Sequence, residues 1–283
     1  MTKLQAHANN IALPHAIFSL PFAFMGALMA TDGKVSAWTL FLIALAVTTA
    51  RSAALAINNL VDLKYDKLQP RMSYRAMVRG DISKTEAIIF IISCLFLLIV
   101  TVAQLPPICL KLLPLAALPF IIYPFTKRFT GFCHLVLGIA LAMAPAGAWL
   151  ASGGEFLALP MILLAVAIMF WIAGFDAIYG AQDEKFDKRQ KLHSLATEFG
   201  VSGAFRIVKI WHLISIVSLL VLGVILELGG LYFVGVGVAA GTLIYQHAIV
   251  TPYDFSEVTQ KYFLRNGIVS IALLIFTWLD YVV

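Results

Sequence analysis

Two short stretches carry nearly all of the dense polar chemistry in this chain. The first reads Arg51-Ser-Ala-Ala-Leu-Ala-Ile-Asn58-Asn59-Leu-Val-Asp62-Leu-Lys-Tyr-Asp66. The second reads Trp171-Ile-Ala-Gly-Phe-Asp176-Ala-Ile-Tyr179-Gly-Ala-Gln-Asp183-Glu-Lys-Phe-Asp187. Asn58, Asp62 and Asp66 are spaced i, i+4, i+8, and Tyr179, Asp183 and Asp187 repeat that spacing. At about 3.6 residues per turn such a series drifts only about 40° per step, so each set lines one helical stripe. Amide and carboxylate oxygens in a row suit a hard divalent cation, and carboxylates that close repel unless a cation intervenes. Asn58, Asp62, Asp66, Asp183 and Asp187 are therefore the candidate metal ligands. Each stretch also has an ionisable residue about two turns deeper, Arg51 seven positions before Asn58 and Asp176 seven before Asp183.

Basic groups follow the first stretch at Arg71, Arg75 and Arg79, and another pair stands at Lys127-Arg128. Cation-binding acids beside guanidinium and ammonium donors suit a polyanion, of which diphosphate is the usual one. Mg2+ then bridges its oxygens to the carboxylates. The competing reading of Arg71 and Arg75 is topological charge alone, and for Arg79, Lys64, Lys67 and Arg128 that reading is preferred. A single D-x-x-x-D is more simply a solvated helix end. Two copies, each at the end of an apolar run with an ionisable residue deeper in it, point to a site instead, because intramembrane charge is costly unless partnered.

The elements that must position these residues are membrane helices. Of 283 residues, 61% are hydrophobic and 12% charged, with mean hydropathy +0.92; a soluble chain is about 45–50% apolar and about 25% charged. The apolar runs are continuous, which indicates helices rather than a barrel. Nine runs are predicted at about 11–30, 37–60, 86–105, 108–125, 132–150, 156–178, 207–228, 231–250 and 265–282, forming one all-α bundle around a central polar cavity. The first is read as a retained span rather than a signal peptide. Pro14, Pro21, Pro114, Pro119 and Pro145 are expected to kink their helices. Gly237-Val-Ala-Ala-Gly241 matches G-x-x-x-G and reads as close packing inside the bundle.

Seventeen of the 20 Lys and Arg fall at the N-terminus or in the connections 2–3, 4–5, 6–7 and 8–9. By the positive-inside bias the N-terminus and both acid-bearing connections are cytoplasmic. That placement makes the net charge of +5 a topological feature and argues against nucleic acid as a partner. Cys94, Cys109 and Cys133 stand singly in apolar runs and read as small core residues. His7, His15, His134, His212 and His247 show no ligand spacing, and His193 either caps the anion or is structural.

These motifs resemble the UbiA superfamily of intramembrane prenyltransferases, which carry N-D-x-x-D-x-x-x-D and D-x-x-x-D motifs. The likeness covers nearly the whole chain, including Tyr123-Pro-Phe-Thr-Lys127; Asn59 stands where many members have Asp. Arg51-Ser-Ala-Ala, Gln69-Pro70-Arg71 and Leu192-His193-Ser194-Leu195 with Phe199-Gly200 look most like the 4-hydroxybenzoate polyprenyltransferase group, and within it the menaquinone branch acting on 1,4-dihydroxy-6-naphthoate. The resemblance implies a multi-pass protein of the cytoplasmic membrane, in ubiquinone or menaquinone synthesis. It implies transfer of a polyprenyl group from its diphosphate to an aromatic acid, with two Mg2+ ions. Asn58, Arg71, Arg75, Lys127 and Tyr179 would then bind the diphosphate. Arg51, Asn58 and Asp176 would face the acceptor, Arg51 meeting its carboxylate and Asp176 orienting the phenol or taking the ring proton. A pairing of Arg51 with Asp176 is the alternative. Tyr65, Tyr123, Trp171 and Phe175 are available to steady an allyl cation, or simply pack.

Other acceptors of the superfamily (haem, chlorin, homogentisate) fit the same motifs. A phosphatidyl-group transferase would need D-x-x-D-G-x-x-A-R, which does not occur. A cation-coupled transporter would place acids near the bilayer midplane, whereas both stripes sit at helix ends. The chain reads as a single domain over 1–283 with two pseudo-repeated acid-motif units, about 37–85 and 156–206.

Overall fold

The computed structural model describes Lys3, His7 and residues 19–255 and 263–283. Every long element among them is a helix. In chain order they are α1 (Leu20–Met29), α2 (Ala37–Val61), α3 (Leu63–Asp66), α4 (Ala76–Arg79), α5 (Lys84–Val102), α6 (Pro107–Thr126), α7 (Cys133–Ala151), α8 (Leu159–Gly180), α9 (Glu184–Arg189), α10 (Leu195–Ile225), α11 (Gly230–Ile249) and α12 (Phe263–Val282). Start signals are local. The Ser36 side chain accepts the Thr39 amide at the head of α2, and Ser83 with Glu86 and Ser194 with Thr197 form capping boxes for α5 and α10.

Among the described residues seven helices, α2, α5, α6, α7, α8, α10 and α11, are long and apolar enough to cross a membrane. The predicted first and ninth runs correspond to shorter apolar helices, Leu20–Met29 and Asn266–Val282. Residues 11–18, with Pro14 and His15, lie outside the described residues. The outer faces of α5 and α6 stay apolar, with Phe96 68% and Leu115 63% exposed. Apolar surface on that scale belongs against lipid.

Neighbouring helices close a ring. α2 packs on α5 and α6, α6 on α7, α7 on α8, α8 on α10, α10 on α11, and α11 on α12; α1 joins α12 to α2 and lies along α7. Glycine allows the closest of these approaches. A Cβ on Gly26 of α1 would stand 2.3 Å from the Pro145 carbonyl oxygen of α7, and one on Gly138 of α7 would stand 2.3 Å from the Met169 carbonyl oxygen of α8. A core of Met25, Met29, Trp149, Trp171, Leu222 and Tyr232 fills one side of the ring.

Three expectations change here. Pro21 lies in the first turn of α1, where its missing N–H is an orphan in any case, so it does not break a helix. A Cβ on Gly237 or Gly241 would meet nothing within 4 Å among the described residues; it is Gly223, against Tyr232, and Gly235, against Phe276, that let helices approach. The seventh run begins at Leu195 rather than near 207, because the capping box at Ser194 starts a polar first piece, joined to the apolar remainder at Gly200 (φ 69°, ψ 162°).

Candidate active site

Both acid stretches sit where a long helix breaks. α2 ends at Val61, and Asp62 adopts φ −87°, ψ −2° before α3 begins. α8 ends at Gly180, a 3-10 turn follows over Ala181–Asp183, and Asp183 adopts φ −92°, ψ 2° before α9. The two aspartates thus share the sparsely populated bridge conformation, in which many active-site residues are found. The uninterrupted stripes expected from the spacing are corrected accordingly. Aspartate side chains compete for nearby backbone groups and disfavour helix interiors. The first stripe still survives its break. Asp62 N donates to the Asn58 carbonyl and Asp66 N to the Asp62 carbonyl, both at 2.9 Å, and Asn58 Nδ2 donates to Asp62 Oδ2 at 3.1 Å.

The two breaks converge on one polar cavity of about 130 Å3. Its walls include Asn58, Asp62, Asp66, Arg71, Arg75, Lys127, Asp176, Tyr179, Asp183 and Asp187. Arg75 Nη1 pairs with Asp66 Oδ2 at 2.5 Å. Arg71 reaches across to the second stretch, pairing with Asp183 and placing its guanidinium 5.1 Å from the centre of the Tyr179 ring. Gln69 Nε2 donates to the other Asp183 oxygen at 2.6 Å. The sequence signal for Gln69 is only its place beside Pro70-Arg71, and no spacing rule assigns it to Asp183. Arg128 is a correction to the topological reading, since it lines the cavity as well. Its Nη2 donates to the Val61 carbonyl at the end of α2 (3.3 Å), and its guanidinium lies over Phe125 and Tyr65. Arg79 pairs with Asp81 at the surface, as a topological charge would.

Electrostatics differ along the walls. Burial pushes the Asp62 carboxyl up to about 6, against the pull of Lys127. Burial also raises Asp66, with Arg75 opposing. For Lys127 burial works against the charge, but Cys133, Asp187, Asp176 and Asp62 outweigh it and hold the ammonium firmly protonated. The lining has five carboxylates (Asp62, Asp66, Asp176, Asp183, Asp187) and four cationic side chains (Arg71, Arg75, Lys127, Arg128). A polyanion entering so balanced a cavity must bring added positive charge. Among the described residues no three His, Cys, Asp or Glu stand together as a complete ion cage. The donors are hard oxygens in two separated sets. They fit Mg2+, which is commonly held by one or two carboxylates with substrate phosphates and water completing its shell.

The deeper residues separate into different compartments. Arg51 does not line the polar cavity. It lies on the wall of an apolar cavity of about 710 Å3 between α2, α5, α6, α7 and α8. There its Nη1 donates to Ser19 Oγ at 2.6 Å, and its Nε is buried without a partner among the described residues. Asp176 remains on the polar cavity and contacts His134, with 2.7 Å between His134 Nδ1 and Asp176 Oδ2. Arg51 and Asp176 therefore do not pair, and the single central cavity expected from the sequence is two cavities, one polar and one apolar.

The model of the UbiA prenyltransferase family matches residues 19–268. The chain belongs to this family. It is 31% identical to a 4-hydroxybenzoate octaprenyltransferase of Vibrio campbellii over 252 residues, covering 87% of this chain and 86% of that one. Among solved structures, the apo UbiA homologue of Aeropyrum pernix K1 superposes with TM-score 0.81 at 28% identity, over 95% of this chain and 97% of that one. The Archaeoglobus fulgidus UbiA homologue bound to DMAPP and Mg2+ superposes with TM-score 0.74 at 21% identity over the whole of both chains, a likeness of fold.

In this UbiA prenyltransferase, a multi-pass membrane protein, His193 serves the cavity from behind. Its backbone N donates to the Lys127 carbonyl at 2.7 Å, and Cys133 Sγ donates to its carbonyl at 3.7 Å. Its ring faces Glu198 at the surface, away from the acids. His193 thus ties the loop after α9 to the turn that carries Lys127.

Proposed function

We propose that the enzyme transfers a polyprenyl group from an isoprenoid diphosphate to a ring carbon of an aromatic acid, of the 4-hydroxybenzoate or 1,4-dihydroxy-6-naphthoate type, in respiratory quinone synthesis. One observation carries the reading: two acid-bearing helix breaks and their arginines meet in a polar cavity, next to an apolar cavity that holds a buried guanidinium with no carboxylate partner among the described residues. The name of the Vibrio relative, with its aromatic acid and octaprenyl chain, supports it.

Asn58, Asp62 and Asp66 from one break and Asp183 and Asp187 from the other would hold two Mg2+ ions. When bound, Mg2+ supplies Lewis-acid neutralisation of the departing diphosphate. Arg71 and Arg75 exchange carboxylate for phosphate oxygens, Lys127 adds a third cation on the cavity wall, and the Tyr179 ring keeps Arg71 aligned. The charge that develops as the allylic C–O bond opens is thereby stabilised by groups already in place. The apolar cavity takes the polyprenyl chain and excludes water from the allyl cation. Arg51 receives the carboxylate of the acceptor, Asn58 orients the acceptor from the metal side, and Asp176 accepts the ring proton. The two acid units, about 37–85 and 156–206, work as halves of one domain. The basic connections support a cytoplasmic N-terminus and a site open to the cytoplasmic side of the cell membrane.

The test is to supply purified membranes with both acids, one long prenyl diphosphate and Mg2+, then to identify the product by mass. One acid is expected to gain the prenyl mass, with chelator removing the gain. Diphosphate turnover with neither acid prenylated overturns the assignment.

A further inference from the structure

We propose that His134 is a positioning residue for this reaction, fixing Asp176 as the base that removes the ring proton; the inference rests on the aromatic acceptor argued above. His134 is the second residue of α7, and its side chain is 1% exposed. Its Nδ1 lies 2.7 Å from Asp176 Oδ2, while its Nε2 is buried with no partner among the described residues. An imidazole buried with one nitrogen unsatisfied is a poor packing residue, since desolvation of that nitrogen is uncompensated. The fold nevertheless makes room for it. Gly180 stands one helical turn after Asp176 on α8, and a Cβ there would come within 3.2 Å of His134 Cε1. α8 thus presents bare backbone where the ring lies. Asp176 is different in that its side chain keeps 21% exposure and lines the polar cavity. One carboxylate oxygen is engaged from behind by His134 and the group itself fronts the cavity.

The chemistry needs such a base at one moment. As the prenyl C1–O bond breaks, its electron pair leaves with the diphosphate, and the ring carbon ortho to the hydroxyl bonds to C1. The cationic ring then loses that carbon's hydrogen as a proton, the C–H pair returning to the ring. The Asp176 carboxylate takes the proton and releases it to water. With Nδ1–H donating to Oδ2, His134 holds the second oxygen toward the substrate and opposes rotation of the carboxyl.

The experiment uses the acceptor that wild-type membranes prenylate, deuterated at the attacked ring carbon. In wild type, proton loss follows carbon–carbon bond formation quickly and no isotope effect on kcat is expected. In His134→Ala, kcat is expected to fall roughly ten- to a hundredfold, as for a misplaced catalytic group, with KM for the prenyl diphosphate unchanged and a primary isotope effect emerging. His134→Asn, whose amide can donate in place of Nδ1–H, is expected to recover most of kcat and lose the isotope effect; it also serves should the alanine variant not fold. Wild-type turnover in His134→Ala overturns the proposal. So does a fall in kcat without an isotope effect, which marks a purely structural residue. If wild type prenylates no aromatic acid, the failure belongs to the functional reading and not to His134.

Discussion

The two helix breaks share a backbone conformation and differ in what holds their carboxylates. At the second, Asp183 is gripped on both oxygens, by Gln69 and by Arg71, side chains that come from the loop after the first. At the first, the Asn58 amide is the one side-chain donor to Asp62 among the described residues, and burial pushes its carboxyl up to about 6. The same sequence spacing therefore yields an aspartate paired with a guanidinium at the second break and, in the matching place at the first, one whose nearest arginine goes to Asp66 instead. The difference teaches that the repeat is geometric and the electrostatics are not. The loop of the first unit completes the second, so neither unit is a self-sufficient site.

Activity tests this asymmetry most strongly where it should vanish. Asp62→Asn and Asp183→Asn are each expected to reduce prenylation in purified membranes by at least about 10²–10³-fold, the range for losing one group aimed at developing charge. Comparable loss in both means that both ends act on the same leaving group. Near-wild-type turnover in either breaks the pairing of the two ends.

A smaller effect is expected one layer down, where Arg51 and Asp176 occupy different cavities. Arg51→Met should raise KM for the acid roughly tenfold to a hundredfold, the equivalent of about 1.5–3 kcal/mol for a charged hydrogen bond. KM for the prenyl diphosphate should move far less, because Arg51 does not line the polar cavity that takes the diphosphate and methionine keeps the wall beside the prenyl chain apolar. Steady-state kinetics with each substrate varied in turn distinguish the cases, and an equal shift in diphosphate KM would place Arg51 with the leaving group instead.

The sequence made the helices, the acid stripes and the basic partners legible, because each follows from periodicity or from residue type at a helix end. It left four things hidden. The breaks at Asp62 and Asp183 depend on local backbone competition that i, i+4, i+8 spacing does not encode. The reach of Gln69 and Arg71 to Asp183 spans more than 110 positions in the chain and is fixed only when α2 and α8 are brought together. His134 carries no spacing signal at all. It becomes a neighbour of Asp176 because α7 packs on α8, and Gly180 is the one local hint that something approaches. Arg51 and Asp176 look equivalent by counting residues, yet helix packing turns one toward apolar walls and the other toward the acids.

The smallest predicted effect is on stability, and there the two breaks should part in sign. The Asp62 carboxyl is raised in the fold, from the usual 3.8 to about 6. The folded state thus binds that proton more tightly than the unfolded chain does. Its stabilising contribution is present below about pH 3.8 and is lost as pH rises through about 6. Above that pH the ionised group costs the metal-free fold on the order of 2–3 kcal/mol. Asp62→Asn removes the cost, so its Tm in detergent without metal should exceed wild type at pH 7.5, with the gap about halved at pH 5. Asp183→Asn should instead lower Tm, since Arg71 loses its charged partner; Arg71 is 31% exposed, so solvent screening keeps this near about 1 kcal/mol. Added Mg2+ should raise the wild-type Tm more at pH 7.5 than at pH 5 and do little for Asp62→Asn, because the ion supplies Asp62 with the charged partner that Arg75 gives Asp66. If both variants shift Tm in one direction, the two ends are electrostatically alike and the contrast between them fails.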